Sequence, residues 1–223
     1  MRLRVPANVV IGAVAIATVL TTSAVIAWRV SNATIAAGFW WEDAAFALSA
    51  DDARKIGGAL RPDEVTRMQR ISRGEIERAY RGLRITLSGN HDAFWHVAVV
   101  GEPITVTRNH MTYPFSMAGQ SHVFGPLGGF GSVAFAILAH NAIDYAPTDA
   151  SRAQIVDAIG RSIGRAAVHE FAHQALGADN LRHIDNRTDE QSYEYGSADR
   201  AAQYYGELRW TTAWPVLEDK FGK

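Results

Sequence analysis

The stretch RAAVHEFAHQALGADN at residues 165–180 contains three residues whose types and spacing could do chemistry. His169 and His173 are four positions apart, and Glu170 directly follows the first histidine. Residues four apart on a helix lie on one face about one turn apart, so two imidazoles can bind one cation. Glu170 is rotated about 100° from His169, where its carboxylate can accept a proton from water beside that cation. The spacing predicts a metal-binding helix that carries a general base.

The neighbouring residues predict the helix that positions this group. Apolar side chains recur four apart through residues 149–176, at Ile155, Ile159, Ile163 and Ala167. Thr148 is a suitable N-cap, and Gly177 is a suitable residue to end the helix. Gly160 and Gly164 lack side chains, so we expect another element to approach the helix closely there.

At these residues the sequence resembles the zincin metallopeptidases, whose signature is HExxH on an active-site helix. The resemblance covers residues 165–214 and implies one catalytic Zn²⁺ per chain, held by His169 and His173. It also implies Glu170 as the general base and a peptide or protein as the substrate. A strand before the helix, within residues 132–141, would lie along the cleft and pair with an extended substrate.

Zinc in such a site needs a third protein ligand. In gluzincins this is a glutamate on a second helix, and Glu194 lies 21 residues after His173 in a stretch with helical spacing, SYEYGSADRAAQYYGELRW. The string SYEY also resembles aspzincins, which use an aspartate, so Asp185 and Asp189 are alternatives.

Asp179 has the spacing of the metzincin ligand, six residues after His173. Metzincins have a glycine where this chain has Leu176, and they have a methionine after the helix. All four methionines of this chain precede the helix, which disfavours that group. An oxyanion could be stabilised by His183, Tyr193 or Tyr195, or equally by Tyr204. The remaining histidines are expected to be surface or core residues.

Composition excludes several other classes of function. Hydrophobic residues make up 48% of the 223 residues and charged residues 20%, which is typical of a globular protein. A net charge of −1 gives no reason to expect a nucleic-acid partner, and the absence of cysteine excludes thiolate metal sites. The glycine-rich stretch 117–132 lacks the Gly-Lys-Ser/Thr ending of a phosphate-binding loop, so we expect a mobile loop and no nucleotide.

The N-terminal residues 1–30 predict a membrane anchor. Arg2 and Arg4 precede the charge-free residues 9–28, which are long enough to span a bilayer as a helix. The N-terminus would be cytoplasmic and the rest of the chain extracytoplasmic, in a single-pass cell-membrane protein. A cleaved signal peptide, giving a secreted protein, is the alternative.

Residues 31–45 would form a juxtamembrane stem and residues 46–223 the catalytic domain. Within the domain we expect a helix at 62–82, which Gly74 could interrupt, and strands at 83–88, 94–101, 103–108 and 132–145. The predicted fold class is α+β: a zincin-like domain with a small mixed sheet and a central active-site helix, preceded by one N-terminal transmembrane helix.

These observations favour a membrane-anchored extracytoplasmic zinc metallopeptidase. The alternative is a catalytically inactive zincin-fold protein that binds a partner at the cell envelope. The presence of Glu170 favours the peptidase, because a binding protein has no need of a general base.

Overall fold

The computed structural model describes residues 34–42, 46–108, 111–124, 128–177, 192–194 and 201–222. Its strands are β1 (Ile35–Trp41), β2 (Ile85–Ser88), β3 (Trp95–Val100), β4 (Ile104–Arg108), β5 (Met111–Met117), β6 (Gly119–Val123) and β7 (Gly129–Ala134). Its helices are α1 (Ala50–Lys55), α2 (Pro62–Ala79), α3 (Phe135–Asp144), α4 (Arg152–Leu176), α5 (Ala202–Tyr205) and α6 (Trp214–Phe221). The protein is therefore α+β.

Five strands form one mixed sheet in the order β2-β1-β3-β7-β6. Strands β1, β3 and β7 are parallel to one another, and β6 runs antiparallel to β7 at the edge. Strands β4 and β5 form a separate antiparallel pair. Val97 and Val99 of β3 are fully buried, as a central strand of β-branched residues requires. Helix α4 packs against β3, β6 and β7, which brings its last turns to the β6 edge of the sheet.

Helix α4 begins three residues later than Thr148 predicts. Ser151 is the N-cap: its hydroxyl accepts a hydrogen bond from the backbone NH of Gln154, whose side chain accepts one from the NH of Ser151. This reciprocal capping box satisfies NH groups that have no partner within the helix. The helix ends at Leu176, and Gly177 follows with φ 85°, a conformation that favours glycine.

Helices α2 and α4 pack closely because two glycines of α4 face α2. A Cβ atom on Gly164 would lie 2.6 Å from the carbonyl oxygen of Ser72, and one on Gly160 would lie 3.0 Å from the Cα of Met68. The predicted close approach at both glycines is confirmed. Helix α2 itself runs through Gly74 without the interruption that the sequence suggested.

Two predictions before α4 are wrong. The predicted strand 132–145 is β7 as far as Ala134 and then helix α3. The buried residues of α3 are Phe135, Leu138, Ala139, Ala142 and Ile143, which follow helical spacing and outweigh the short alternation that suggested a strand. The strand expected along the cleft at 132–141 is therefore mostly helix. The stretch 117–132, expected to be a mobile loop, instead contains β6 and the start of β7.

The expected stem at residues 31–45 contains β1, which lies between β2 and β3 in the sheet. Its apolar sequence IAAGFWW buries Ala37 and Phe39, so the folded domain begins before residue 46. The predicted anchor at residues 1–30 lies outside the described residues. Within the described part of the chain, no helix combines the length and the hydropathy needed to cross a bilayer.

Candidate functional site

His169 and His173 lie in the last two turns of α4, with their side chains facing each other. The two Nε2 atoms are 3.1 Å apart, and the ring planes are perpendicular. This separation fits a hydrogen bond between two neutral imidazoles, and it also fits two ligands of one cation. Nitrogens that share a tetrahedral zinc ion at about 2.0–2.1 Å lie about 3.3 Å apart.

A backbone carbonyl fixes the protonation of His169. Its Nδ1 lies 3.1 Å from the carbonyl oxygen of Tyr193, which can only accept a hydrogen bond. Nδ1 therefore donates, and in the neutral form of the ring Nε2 is then the unprotonated nitrogen. A histidine that binds a metal through Nε2 requires this tautomer, and a carbonyl on the other nitrogen is the usual way to hold it. Both side chains fit a zinc ion.

Glu170 is buried beneath the edge strand β6. A Cβ atom on Gly119 would overlap its Oε1, so the carboxylate needs a glycine at that position of the strand. The hydroxyl of Ser121, also on β6, donates to the backbone carbonyl of Glu170 at 3.0 Å. Burial raises the pKa of the Glu170 carboxyl to about 8, while Ser121 acts in the opposite direction. Among the described residues, Oε2 of Glu170 has no hydrogen-bond partner.

Gln174 holds the end of α4 against the sheet. Its Nε2 donates to the carbonyl oxygen of His96 on β3 at 3.0 Å and approaches the hydroxyl of Ser121 at 3.4 Å. Gly131 of β7 leaves room for this amide, because a Cβ there would lie 3.1 Å from the same nitrogen. Sequence spacing alone did not single out Gln174. It follows Glu170 by one turn, which places it on the face of α4 that contacts the sheet.

The structure does not bring Glu194 to the histidines. Its carboxylate accepts three backbone NH groups and two threonine hydroxyls just before α6, from Thr211, Thr212 and Ala213. Burial alone would raise the pKa of Glu194, but these hydrogen bonds outweigh it and lower that pKa. The helix expected from residue 192 is also wrong in the described residues. Ser192 pairs with Arg209 in a β-bridge, a turn follows it, and helix α5 is short.

Tyr193 presents its carbonyl to His169 and its hydroxyl to a different partner. The hydroxyl donates to Oε1 of Glu75 at 3.2 Å. Burial, followed by the negative charge of Glu75, raises the pKa of Tyr193 to about 12. The alternative Tyr204 is also buried, and its ring stacks on Tyr145. Several predicted site residues lie outside the described residues: Asp179, His183, Asp185, Asp189 and Tyr195.

Among the described residues, His169 and His173 have no third His, Asp or Glu with which all ligand atoms lie within 4.8 Å of one another. One such group exists elsewhere, formed by Asp52, His140 and Asp144. His140 lies between the two carboxylates, and the ammonium of Lys55 contacts Asp144. The carboxylates of Asp52 and Asp144 therefore already have His140 and Lys55 as partners. Sequence spacing gave no signal for this group, because Asp52 belongs to a different helix.

Comparison of the chain with protein-family models, with curated proteins and with solved structures finds no match. The geometry around His169, Glu170 and His173 is therefore the basis for assigning a function.

Proposed function

We propose that this protein is a zinc-dependent metallopeptidase of the zincin type. The observation that carries the proposal is the 3.1 Å separation of the two Nε2 atoms of His169 and His173, beside the buried carboxylate of Glu170. Two converging imidazoles are a preferred donor set for zinc. A glutamate that is buried without a cationic partner costs stability, and such groups are concentrated at functional sites.

Each of the three side chains has a role that its surroundings support. His169 and His173 would hold the zinc ion, with the Tyr193 carbonyl keeping Nδ1 of His169 protonated. When bound, zinc supplies a Lewis acid that polarises a carbonyl group and lowers the pKa of a water molecule. Glu170 would be the general base: the charge of a bound zinc ion favours the ionised carboxylate. Its Oε2, which has no hydrogen-bond partner among the described residues, could then accept a proton from water and pass it to the leaving amine.

The substrate is an extended peptide that pairs with strand β6. In the described sheet, β6 has β7 on one side and no strand on the other, so its backbone groups can pair with an added strand. Gly119 and Ser121 of β6 both contact Glu170, which supports a role for this side chain beside a peptide bound along that edge. Strand β6 takes the role that the resemblance suggested for residues 132–141.

The third zinc ligand is one of the aspartates at positions 179, 185 and 189. Both oxygens of Glu194 already accept hydrogen bonds from residues before α6, and moving that carboxylate would leave five donors without it. We expect zinc content to survive Glu194→Gln and to be lost in one of Asp179→Ala, Asp185→Ala and Asp189→Ala. Metal analysis of the four purified variants distinguishes these candidates.

The test of the proposal combines metal analysis with peptide hydrolysis on the full-length protein. Wild type should bind about one zinc per chain, and His169→Ala or His173→Ala should abolish binding because fewer ligands remain. Glu170→Gln keeps the size of the side chain but removes the base, so zinc should stay bound while cleavage of a peptide library falls about 10²–10⁴-fold.

A folded wild-type protein that stays free of zinc in excess metal would contradict the proposal. A zinc-loaded wild type that cleaves no peptide would instead favour the inactive zincin-fold binding protein at the cell envelope.

We also propose that residues 9–28 anchor the domain in the cell membrane, with secretion after signal cleavage as the alternative. The support is the charge-free stretch that follows Arg2 and Arg4. Full-length protein should remain in membranes after carbonate extraction. A soluble mature form starting near residue 36 would contradict the anchor.

A further inference from the structure

Tyr193 joins His169 to a buried polar network between helices α2 and α4. The carbonyl of Tyr193 accepts from Nδ1 of His169, while its hydroxyl donates to Glu75 on α2. The orientation of His169 therefore depends on where the backbone of Tyr193 lies. Tyr193 is itself almost fully buried, so its position is set by protein contacts rather than by solvent.

Glu75 is the centre of this network. It is fully buried, and its Oε1 accepts from Nε of Arg165 at 2.9 Å as well as from Tyr193. Its Oε2 lies 2.9 Å from a guanidinium nitrogen of Arg78. The other guanidinium nitrogens of Arg165 donate to the carbonyl oxygens of Gln203 and Gly206, at 2.8 and 2.7 Å. A buried arginine needs acceptors for its donors, and each guanidinium nitrogen of Arg165 has one.

The contacts form a closed loop that begins and ends on α4. Arg165 lies one turn before His169 on the same face of the helix. From Arg165 the loop passes to Glu75, then to the hydroxyl of Tyr193, and returns through the Tyr193 carbonyl to His169. Each link is a hydrogen bond between buried groups.

Helix packing alone does not require this loop. The contact between α2 and α4 already rests on Met68, Gly160 and Gly164, which are apolar or lack side chains. Buried ion pairs add little net stability compared with apolar residues of similar volume, but they can select one arrangement over others. Here the loop ends on His169, so the arrangement that it can select is the orientation of that imidazole.

We propose that Glu75 and Arg165 are positioning residues, which hold Tyr193 where its carbonyl fixes the ring and tautomer of His169. That the metal is zinc rests on the proposed function, whereas the effect of Tyr193 on the orientation and tautomer of His169 does not. Partners that orient a metal-binding histidine typically contribute 10–100-fold to metal affinity. The hydroxyl of Tyr193 is one link further away, so a smaller contribution is expected from it.

The test uses Tyr193→Phe in the full-length protein, which removes only the hydroxyl that donates to Glu75. We expect zinc affinity, measured by competition with a chromophoric chelator, to fall about 3–10-fold. The matched control is Tyr205→Phe, because the hydroxyl of Tyr205 donates to the carbonyl of Ala142 on α3, outside the loop. Both variants lose one tyrosine hydrogen bond, but only Tyr193→Phe should weaken zinc binding.

Glu75→Gln provides a second variant and a coupling measurement. Tyr193 and Glu75 act through one loop. The loss of zinc affinity in the double variant, Tyr193→Phe with Glu75→Gln, should therefore be smaller than the sum of the two single losses, expressed as free energies. Zinc affinity of Tyr193→Phe equal to that of wild type and of Tyr205→Phe would overturn the proposal.

A measurement without metal separates this proposal from the proposed function. In the ¹⁵N NMR spectrum of the metal-free protein, wild-type His169 should be the Nδ1-protonated tautomer, and Tyr193→Phe should show a mixture. A failure of wild type to bind zinc would overturn the proposed function but leave this result as a test of positioning. An unchanged His169 tautomer in Tyr193→Phe would overturn the positioning role.

Discussion

The two ends of helix α4 each bury a glutamate, and the two glutamates have opposite electrostatic surroundings. Near the N-terminal end, Glu64 of α2 is 4% exposed, and Arg152 donates to both of its oxygens at 2.7 and 2.8 Å. Near the C-terminal end, Glu170 is 5% exposed, and no cation among the described residues pairs with it. The two glutamates have similar exposure, but the charged form is stabilised at Glu64 and destabilised at Glu170.

The pKa values express this difference. Hydrogen bonds from Arg152 outweigh desolvation and lower the pKa of Glu64 to about 2. Burial raises the pKa of Glu170 to about 8. A paired carboxylate at one end stabilises the fold, whereas the unpaired one at the other end costs stability. Among the described contacts, the pairing with Arg152 accounts for the burial of Glu64, and no comparable pairing accounts for the burial of Glu170.

The largest effect expected from this comparison concerns the room that β6 leaves for Glu170. In Gly119→Ala, the new methyl group would overlap Oε1 and displace the carboxylate. A displacement of about 1 Å can lower an enzymatic rate about 10²-fold, so peptide hydrolysis should fall by that order while zinc content stays unchanged. Gly89→Ala is the matched control, because a Cβ there meets open space. Equal hydrolysis rates in the two variants would show that Glu170 does not need its observed position.

The second prediction compares the stability of two isosteric variants by denaturant unfolding at pH 7. Glu64→Gln leaves the half-buried Arg152 without its anionic partner and should lower the free energy of unfolding by about 1–3 kcal/mol. Glu170→Gln removes a buried carboxyl that pairs with no cation among the described residues, so it should leave the free energy of unfolding equal or higher. A Glu170→Gln variant less stable than Glu64→Gln would reverse the comparison between the two ends.

The third prediction uses the pH dependence of Glu64. Its pKa is about 2 in the folded protein against 4.5 without these contacts, so its stabilisation is complete above pH 4.5 and is lost as the pH falls towards 2. The difference in unfolding free energy between wild type and Glu64→Gln should therefore shrink over that range. Urea unfolding at several pH values measures it. A difference that stays constant from pH 5 to pH 3 would show that the Arg152 pair does not depend on the charge of Glu64.

The elements with strong local patterns were predictable from sequence. Helix α2 and the end of α4 followed from apolar spacing and from Gly177, and strands β2, β3 and β4 from runs of β-branched and aromatic residues. The close approach at Gly160 and Gly164 was also predictable. These features depend on residues that are near one another in the chain.

The features that were missed depend on distant partners. Strand β6 contains three polar residues and a glycine, a composition typical of a loop, and its strand conformation comes from pairing with β7. Glu194 has helical spacing to its neighbours, yet its carboxylate is held by residues 211–213. The loop through Glu75 joins α2, α4 and residue 193, so no local pattern could reveal it. Each is a tertiary interaction that overrides local propensity.

The hydrogen bonds to Glu194 set an order in which the site can be completed during synthesis. The residues of the HExxH motif are synthesised first, Tyr193 and Glu194 follow, and the donors at 211–213 are synthesised last of these. Until those donors are synthesised, the Glu194 carboxylate beside Tyr193 lacks the five hydrogen bonds that hold it. The backbone that presents a carbonyl to His169 is then held by fewer contacts. A nascent chain therefore carries the complete motif before it carries all the contacts around Tyr193 that orient His169.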